Sequence, residues 1–265
     1  MKHRLPLSLI ILLFIPSLAC RAVSMNYNTV RGSGNIETQT VDASNFNSVS
    51  LENSGDVYIE QGSTESVTVE ADDNILPLLE TKVIGKELVL TTKPNTSIDP
   101  SRKIVYRITA KDLSGISVKG SGDFYVSPIE SDSMDISLDG SGNIKMDDLA
   151  TGKLSIRLNG SGNIGIDKLS ATSTDASVNG SGDIKLAGQS PTQEISYNGS
   201  GNYLAGDLES KSVDIHIPGS ADVTVWVTDE LKAQINGSGT VRYYGKPTVD
   251  QSGNGSGKIV SLGEK

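Results

Sequence analysis

Apolar residues recur along this chain with two periods at once, every second residue within short runs and every eighteen to twenty residues between runs. Ile116, Ile136, Ile156, Ala176, Ile195, Ile215 and Ala233 form one column, each followed two residues later by Val118, Leu138, Leu158, Val178, Tyr197, Ile217 or Ile235. A second pair of columns holds Phe124, Ile144, Ile164, Ile184, Tyr203, Val223 and Val241, then Val126, Met146, Ile166, Leu186, Ala205, Val225 and Tyr243. The short period predicts two strands per unit, each with one buried face, and the long period predicts a unit stacked on itself. In this register Ile156 and Ile164 point inward, and Arg157 and Lys145 point to solvent. A third apolar column, Ile129, Leu149, Leu169 and Leu208, supplies a further wall.

Between the two strands of each unit stands Gly-Ser-Gly or a near copy. It begins at Gly32, Asn53, Gly120, Gly140, Gly160, Gly180, Gly199, Gly219, Gly237 and Gly255. Propeller blades need about forty residues, so a spacing near twenty predicts an all-β fold, a right-handed parallel β-helix with about twenty residues per coil. Residues without a side chain at the corner let successive coils approach to the strand spacing of about 4.8 Å. The intervening Ser121, Ser141, Ser161, Ser181 and Ser200 are candidates for a stacked hydroxyl ladder, since each hydroxyl donates and accepts. After the second Gly come Asp123, Asn143, Asn163, Asp183 and Asn202, residues suited to turn geometry and to a second ladder.

The motif is missing between Asn53 and Gly120, although strand-like alternation persists at Val67–Glu70, Leu88–Thr91 and Ile104–Ile108. The expected organisation is a single β-helix domain over residues 31–265, with irregular coils at 57–119 and repeat coils at 120–258. Ile75 to Glu80 reads as a helical turn or outward loop, Pro94 to Arg102 as a polar loop, and the segment from Pro247 as a last irregular coil or cap.

Lys2 and Arg4 precede a mostly apolar run, Leu5 to Leu18, too short to span a bilayer and typical of an export signal. The sole cysteine, Cys20, follows Ser17-Leu18-Ala19. This resembles a bacterial lipoprotein signal, which implies a signal peptide over residues 1–19, a lipid on Cys20 that holds the protein to a membrane, and a short tether over 20–30. Cleavage after Ala22 or Ser24 without lipidation is the alternative and would release the protein. A net charge of −9, with no basic cluster, excludes nucleic acid as a partner class.

The sequence offers no catalytic residue, metal site or cofactor motif. His216 stands alone at an outward position, and Asp147, Asp148, Asp167 and Glu130 read as solvated acids. A carbohydrate-active enzyme or polysaccharide-binding protein on a β-helix is the alternative those carboxylates would serve. A structural calcium-binding solenoid is a further alternative, but it would need a nine-residue period and an aspartate in nearly every turn. Trp226 and Tyr244 occupy one outward column in successive coils, so they form a candidate partner-binding ledge for a cell-surface glycan or envelope protein, or the floor of a C-terminal cap.

The repeated Gly-Ser-Gly-Asn/Asp, together with Val69-Glu-Ala-Asp-Asp-Asn-Ile-Leu-Pro-Leu-Leu-Glu80, resembles the bacterial family of auto-transporter adhesins with a head GIN domain, over about residues 28 to 262. The resemblance implies an exported β-helical protein, often a lipoprotein, with a non-enzymatic binding, adhesion or scaffold role in the cell envelope. Two features depart from the pattern. Ala221 replaces the second Gly of its corner, and Thr240 and Lys258 replace Asn/Asp, so the geometry of the last corners is open to change.

Overall fold

The computed structural model describes residues 29–265. The inferred signal segment and Cys20 lie outside these residues. From Gly115 onward the chain is a parallel β-solenoid whose strand registers reproduce the sequence columns. Ile116 pairs with Ile136, Ile136 with Ile156 and Ile156 with Ala176, and the column continues through Ile195 and Ile215 to Ala233. The second wall runs through Phe124, Ile144, Ile164, Ile184, Tyr203, Val223 and Val241. All these residues are buried, as is the third wall of Ile129, Leu149, Leu169 and Leu208. Each side chain therefore packs on its equivalents above and below, and stability is close to a sum over neighbouring coils. The shorter repeats are accommodated by register shifts, one beside Gly188 and one where Gly206–Leu208, between Ala205 and Glu209, has no partner in the following coil.

Two tyrosines in the inward columns bring hydroxyls into this apolar core, and each has an acceptor. Tyr203 donates to Gln193 Oε1 at 2.7 Å, and Gln193 Nε2 donates to Ser210 Oγ at 2.6 Å. Tyr197 donates to the Gly182 carbonyl. Burial pushes both phenols well above their ordinary range, so they stay protonated donors.

The first part of the chain departs from the expected run of consecutive coils. Strand Ser48–Leu51 pairs in parallel with Gly115–Val118 on one side and Glu87–Thr92 on the other. Strand Asp56–Gln61 likewise lies between Phe124–Val126 and Val105–Ala110. The stacking order is therefore 87–110, then 48–61, then 115–126. After residue 61 the chain swings outward and builds the outermost coil. It then crosses back over residues 111–114 to resume the stack. Antiparallel strands complete this end: Ser66–Asp72 on Val105–Ala110, Ile36–Val41 on Ser66–Asp72, and Leu79–Ile84 on Glu87–Thr92. Leu76–Leu78 forms a 3-10 turn.

Gly32-Ser33-Gly34 is not a coil corner, contrary to its place in the repeat. The buried carboxylate of Asp72 accepts from the Gly34 amide at 2.7 Å, from the Ser101 amide at 2.9 Å and from Ser101 Oγ at 2.6 Å. Ser33 Oγ donates to Asp73 at 2.5 Å, and its amide donates to Asn74 Oδ1. The hydrogen bond from Ser101 and those from the two amides hold the Asp72 carboxyl below its ordinary value. The polar loop before residue 102 supplies Ser97–Asp99, which pairs with Thr29–Arg31, so the chain is already clasped within the span expected to be tether.

At the opposite end, Thr248–Ser252 and Lys258–Ser261 continue the two walls in parallel register. The segment expected as an irregular coil or cap is thus a further regular coil. Val249, Val260 and Leu262 are exposed on it.

Candidate binding cleft

The corners show which of the two candidate ladders forms. Asp123 Oδ1 accepts from both the amide and Nδ2 of Asn143 at 2.9 Å. Asn143 Oδ1 accepts in the same way from Asn163, at 3.2 and 3.0 Å. Asn163 Oδ1 accepts from the Asp183 amide at 3.0 Å, and Asp183 Oδ1 accepts from the Asn202 amide and Nδ2 at 2.8 and 2.9 Å. Stacked aspartates would repel, but here each carboxylate faces N–H donors. The hydroxyls of Ser121, Ser141, Ser161, Ser181 and Ser200 are exposed, and no hydroxyl-to-hydroxyl bond joins them among the described residues. The serine backbone serves instead, with the Ser141, Ser161 and Ser181 amides bonding to Gly120, Gly140 and Gly160 carbonyls.

The ladder begins at a cation. Lys103 Nζ lies 2.8 Å from Asp56 and 3.1 Å from Asp123, and these contacts raise its pKa. For Asp123, burial pushes the carboxyl up, but the bonds from Asn143 and Lys103 outweigh it and leave the group below its ordinary value.

Immediately beside this corner is a cleft of about 560 Å³. It lies between two rows of outward side chains that cross the strands. One row is Arg107, Tyr58, Tyr125 and Lys145, brought side by side by the strand registers. The other row, two residues further along each strand, is Thr109, Glu60, Ser127 and Asp147. Ser66 and Thr68, opposite Thr109 and Arg107 on the antiparallel strand, extend both rows.

Tyr58 and Tyr125 are stacked, with centroids 4.9 Å apart and planes 17° from parallel. The Arg107 guanidinium sits 5.1 Å from the Tyr58 centroid. Each tyrosine keeps 40 % and 38 % of its surface exposed, respectively, so the pair is an accessible aromatic wall and not core. Partial burial, and the charges of Asp123 and Asp56, push the Tyr125 phenol above its ordinary value, keeping it a donor as well as an acceptor. Lys145 reaches Asp167 at 3.6 Å, and Thr109 donates to Glu60 at 3.1 Å.

The aromatic ledge expected from sequence was a different pair. Trp226 and Tyr244 are in register, as the column implies. Both are half-buried, and the Lys265 ammonium lies 5.2 and 5.3 Å from their centroids while bonding to Gly206 and Asp207. The C-terminal residues thus lie across this pair. Tyr58 and Tyr125 escape a linear reading because their motifs, at Asn53 and Gly120, are far apart in sequence. The available signal was that both stand five residues after the start of their motif, one outward column holding Tyr where later coils carry Lys145, Gly165 and Lys185.

The carboxylates considered for catalysis do not meet at one point. Asp148 pairs with Lys168 at 2.6 Å and Asp167 with Lys145. Asp147 faces the main cleft, and Glu130 borders a second one of about 420 Å³ with Asp148 and Gln61. His216 Nδ1 lies 3.1 Å from Gln234 Oε1 on the exposed surface. Among the described residues, no group of three or more His, Cys, Asp or Glu side chains could hold a metal ion, and no helix is long and apolar enough to cross a membrane.

A family model described as putative auto-transporter adhesin, head GIN domain, matches residues 45–167 and again 146–247. The chain belongs to this family. Solved structures of similar fold are known. A putative lipid binding protein from Parabacteroides distasonis is 28 % identical with a TM-score of 0.84, covering 88 % of this chain and 99 % of its own. A putative adhesin from Parabacteroides merdae is 25 % identical with a TM-score of 0.81 and the same coverage. A putative adhesin from Bacteroides fragilis is 26 % identical with a TM-score of 0.68, covering 88 % and 100 %. None of the curated proteins matches the chain.

Proposed function

We propose that this protein is a non-enzymatic binding protein of the cell envelope, held to a membrane through a lipid on Cys20 and engaging its partner in the cleft beside Tyr58 and Tyr125. The observation that carries the reading is the stacked, exposed tyrosine pair lining a cleft on the outer wall of the solenoid. Rigid aromatic side chains on a strand scaffold offer a large contact area at little entropic cost, which suits recognition. Family membership supports adhesion, and the names of the similar structures speak of binding or adhesion.

The test uses the full protein and isolated bacterial envelopes. Replacing Tyr58 and Tyr125 together by Ser is expected to weaken binding at least tenfold, while the thermal transition stays within a few degrees because both residues are exposed. The paired change of Trp226 and Tyr244 to Ser should leave binding near the parental level. Unchanged binding in the Tyr58/Tyr125 variant would sink this reading of the cleft.

Anchoring is tested separately by fractionation. Cys20→Ser should move most of the protein from the membrane to the soluble fraction, because the lipid contributes about 0.8 kcal/mol per buried methylene and no helix among the described residues is long and apolar enough to cross a membrane. Undiminished membrane association of that variant, once it is processed at the same peptide bond, would remove the lipid anchor from the proposal.

A further inference from the structure

We infer that the ligand of this cleft is an uncharged glycan, bound as an extended chain parallel to the coil axis and across the strands. The inference rests on the cleft being the binding site, as proposed above, and adds the chemical class and direction of its ligand.

Direction follows from the two rows. They cross the strands that carry Ser66, Thr109, Glu60, Ser127 and Asp147, so four strand spacings give a length of roughly 19 Å. Such a trough suits an elongated molecule with about one ring per strand spacing. An extended peptide is the main competitor, since peptides commonly bind to sheets by adding a strand. That mode is closed here. The strands beneath the cleft already pair on both sides, Asp56–Gln61 with Phe124–Val126 and with Val105–Ala110, so their amides and carbonyls are used in the ladder. A peptide crossing them would bring its own amides to a surface with no matching backbone row.

A sugar chain brings hydroxyls, each able to donate and accept, and the side chains answer in both senses. In one row the carboxylates of Glu60 and Asp147 accept, flanked by the hydroxyls of Ser66, Thr109 and Ser127, and in the other Arg107 and Lys145 donate. Aromatic surface completes the fit. One face of Tyr58 is stacked on Tyr125 and Arg107 lies over that ring, whereas the Tyr125 face toward Lys145 carries no ring or guanidinium among the described residues. The exposed surface of the stacked pair lines the trough, where the C–H groups of a sugar can contact it.

Charge sets the class. The lining holds two cations, Arg107 and Lys145, against two anions, Glu60 and Asp147, so the trough has no net charge to offer an ionic polymer. The whole chain at −9 repels a polyanion.

The experiment is calorimetric titration of the full protein with neutral tetrasaccharides (cellotetraose, laminaritetraose, maltotetraose, mannotetraose), with tetragalacturonate and with an extended Ser/Thr-rich hexapeptide. At least one neutral tetrasaccharide is expected to bind, with an affinity changing less than twofold between 50 and 500 mM salt, because an uncharged ligand releases no counterions. Tyr125→Ala should weaken it at least tenfold, Tyr125→Phe by less than threefold, and the pair Glu60→Gln and Asp147→Asn severalfold. Salt-sensitive binding of tetragalacturonate alone, binding of the hexapeptide alone, or binding of nothing in the panel overturns the inference. If envelope binding still depends on Tyr58 and Tyr125 in those cases, the cleft remains the binding site and only the ligand class is wrong. If envelope binding is indifferent to both tyrosines, the site and the glycan fall together.

Discussion

Gly142→Ala is expected to destabilise the protein by roughly 3 kcal/mol or more, or to leave it insoluble, whereas Gly165→Ala should be neutral or stabilising by up to about 1 kcal/mol. A Cβ on Gly142 would overlap the carbonyl oxygen of Gly122 in the coil below, and Gly162 meets Gly142 in the same way. The obstructing atom is backbone held by the stack, so nothing can rotate aside. The coils would have to separate, and each strand pair on either side would lengthen with them. Gly165, the second residue of strand Ile164–Val178, has nothing within 4 Å of a Cβ, so alanine there reduces only the freedom of the unfolded chain. Denaturant unfolding of the two variants measures the contrast. Comparable stabilities would mean that the corners do not set the coil spacing.

The second large effect is expected at Ile156, where aspartate should cost more than about 4 kcal/mol while Arg157→Asp costs less than about 1 kcal/mol. Ile156 is 1 % exposed, between Ile136 and Ala176. The substitution removes about 1.5–3 kcal/mol of apolar burial and brings a carboxylate into a wall without a counter-ion. Arg157 is about half exposed and reaches Asp135 at 3.4 Å, so reversing its charge trades a solvent-screened attraction for a screened repulsion. Because each coil depends on its neighbours, amide exchange in Ile156→Asp should accelerate first around residues 136 to 184. Equal loss of protection in both variants would contradict the inward and outward registers.

Much of this architecture is written locally and could be read locally. Every coil from Gly120 carries its own alternation and its own glycine corner, and a one-residue slip would turn Ile156 and Ile164 to solvent. The register therefore follows from the pattern alone. The ladder of Asp123, Asn143, Asn163, Asp183 and Asn202 was likewise visible as a column. Its partner column of serines looked equally able to form a ladder, but those hydroxyls face solvent, and the corner amides are satisfied by glycine carbonyls and Asn/Asp oxygens instead. Ala221, flagged as a departure, lies where the side-chain ladder is interrupted, since the Asp222 amide bonds to the Gly201 carbonyl at 3.3 Å and not to Asn202.

What the sequence by itself determined is the all-β solenoid, its coil length, its core columns and its glycine corners, because each is repeated within a single turn and needs no knowledge of distant residues. The tertiary structure alone decided which coil lies next to which at the irregular end. Residues 62–114 carry weak alternation and no corner motif, so nothing local says that the chain will build an outer coil and then cross back. That detour places 48–61 directly against 115–126 and brings Tyr58 onto Tyr125 from 67 residues away. It also sets Arg107 over the pair and Lys103 between Asp56 and Asp123. The candidate site is made at a junction where sequence order and stacking order differ, and a column read along the chain cannot show such a junction.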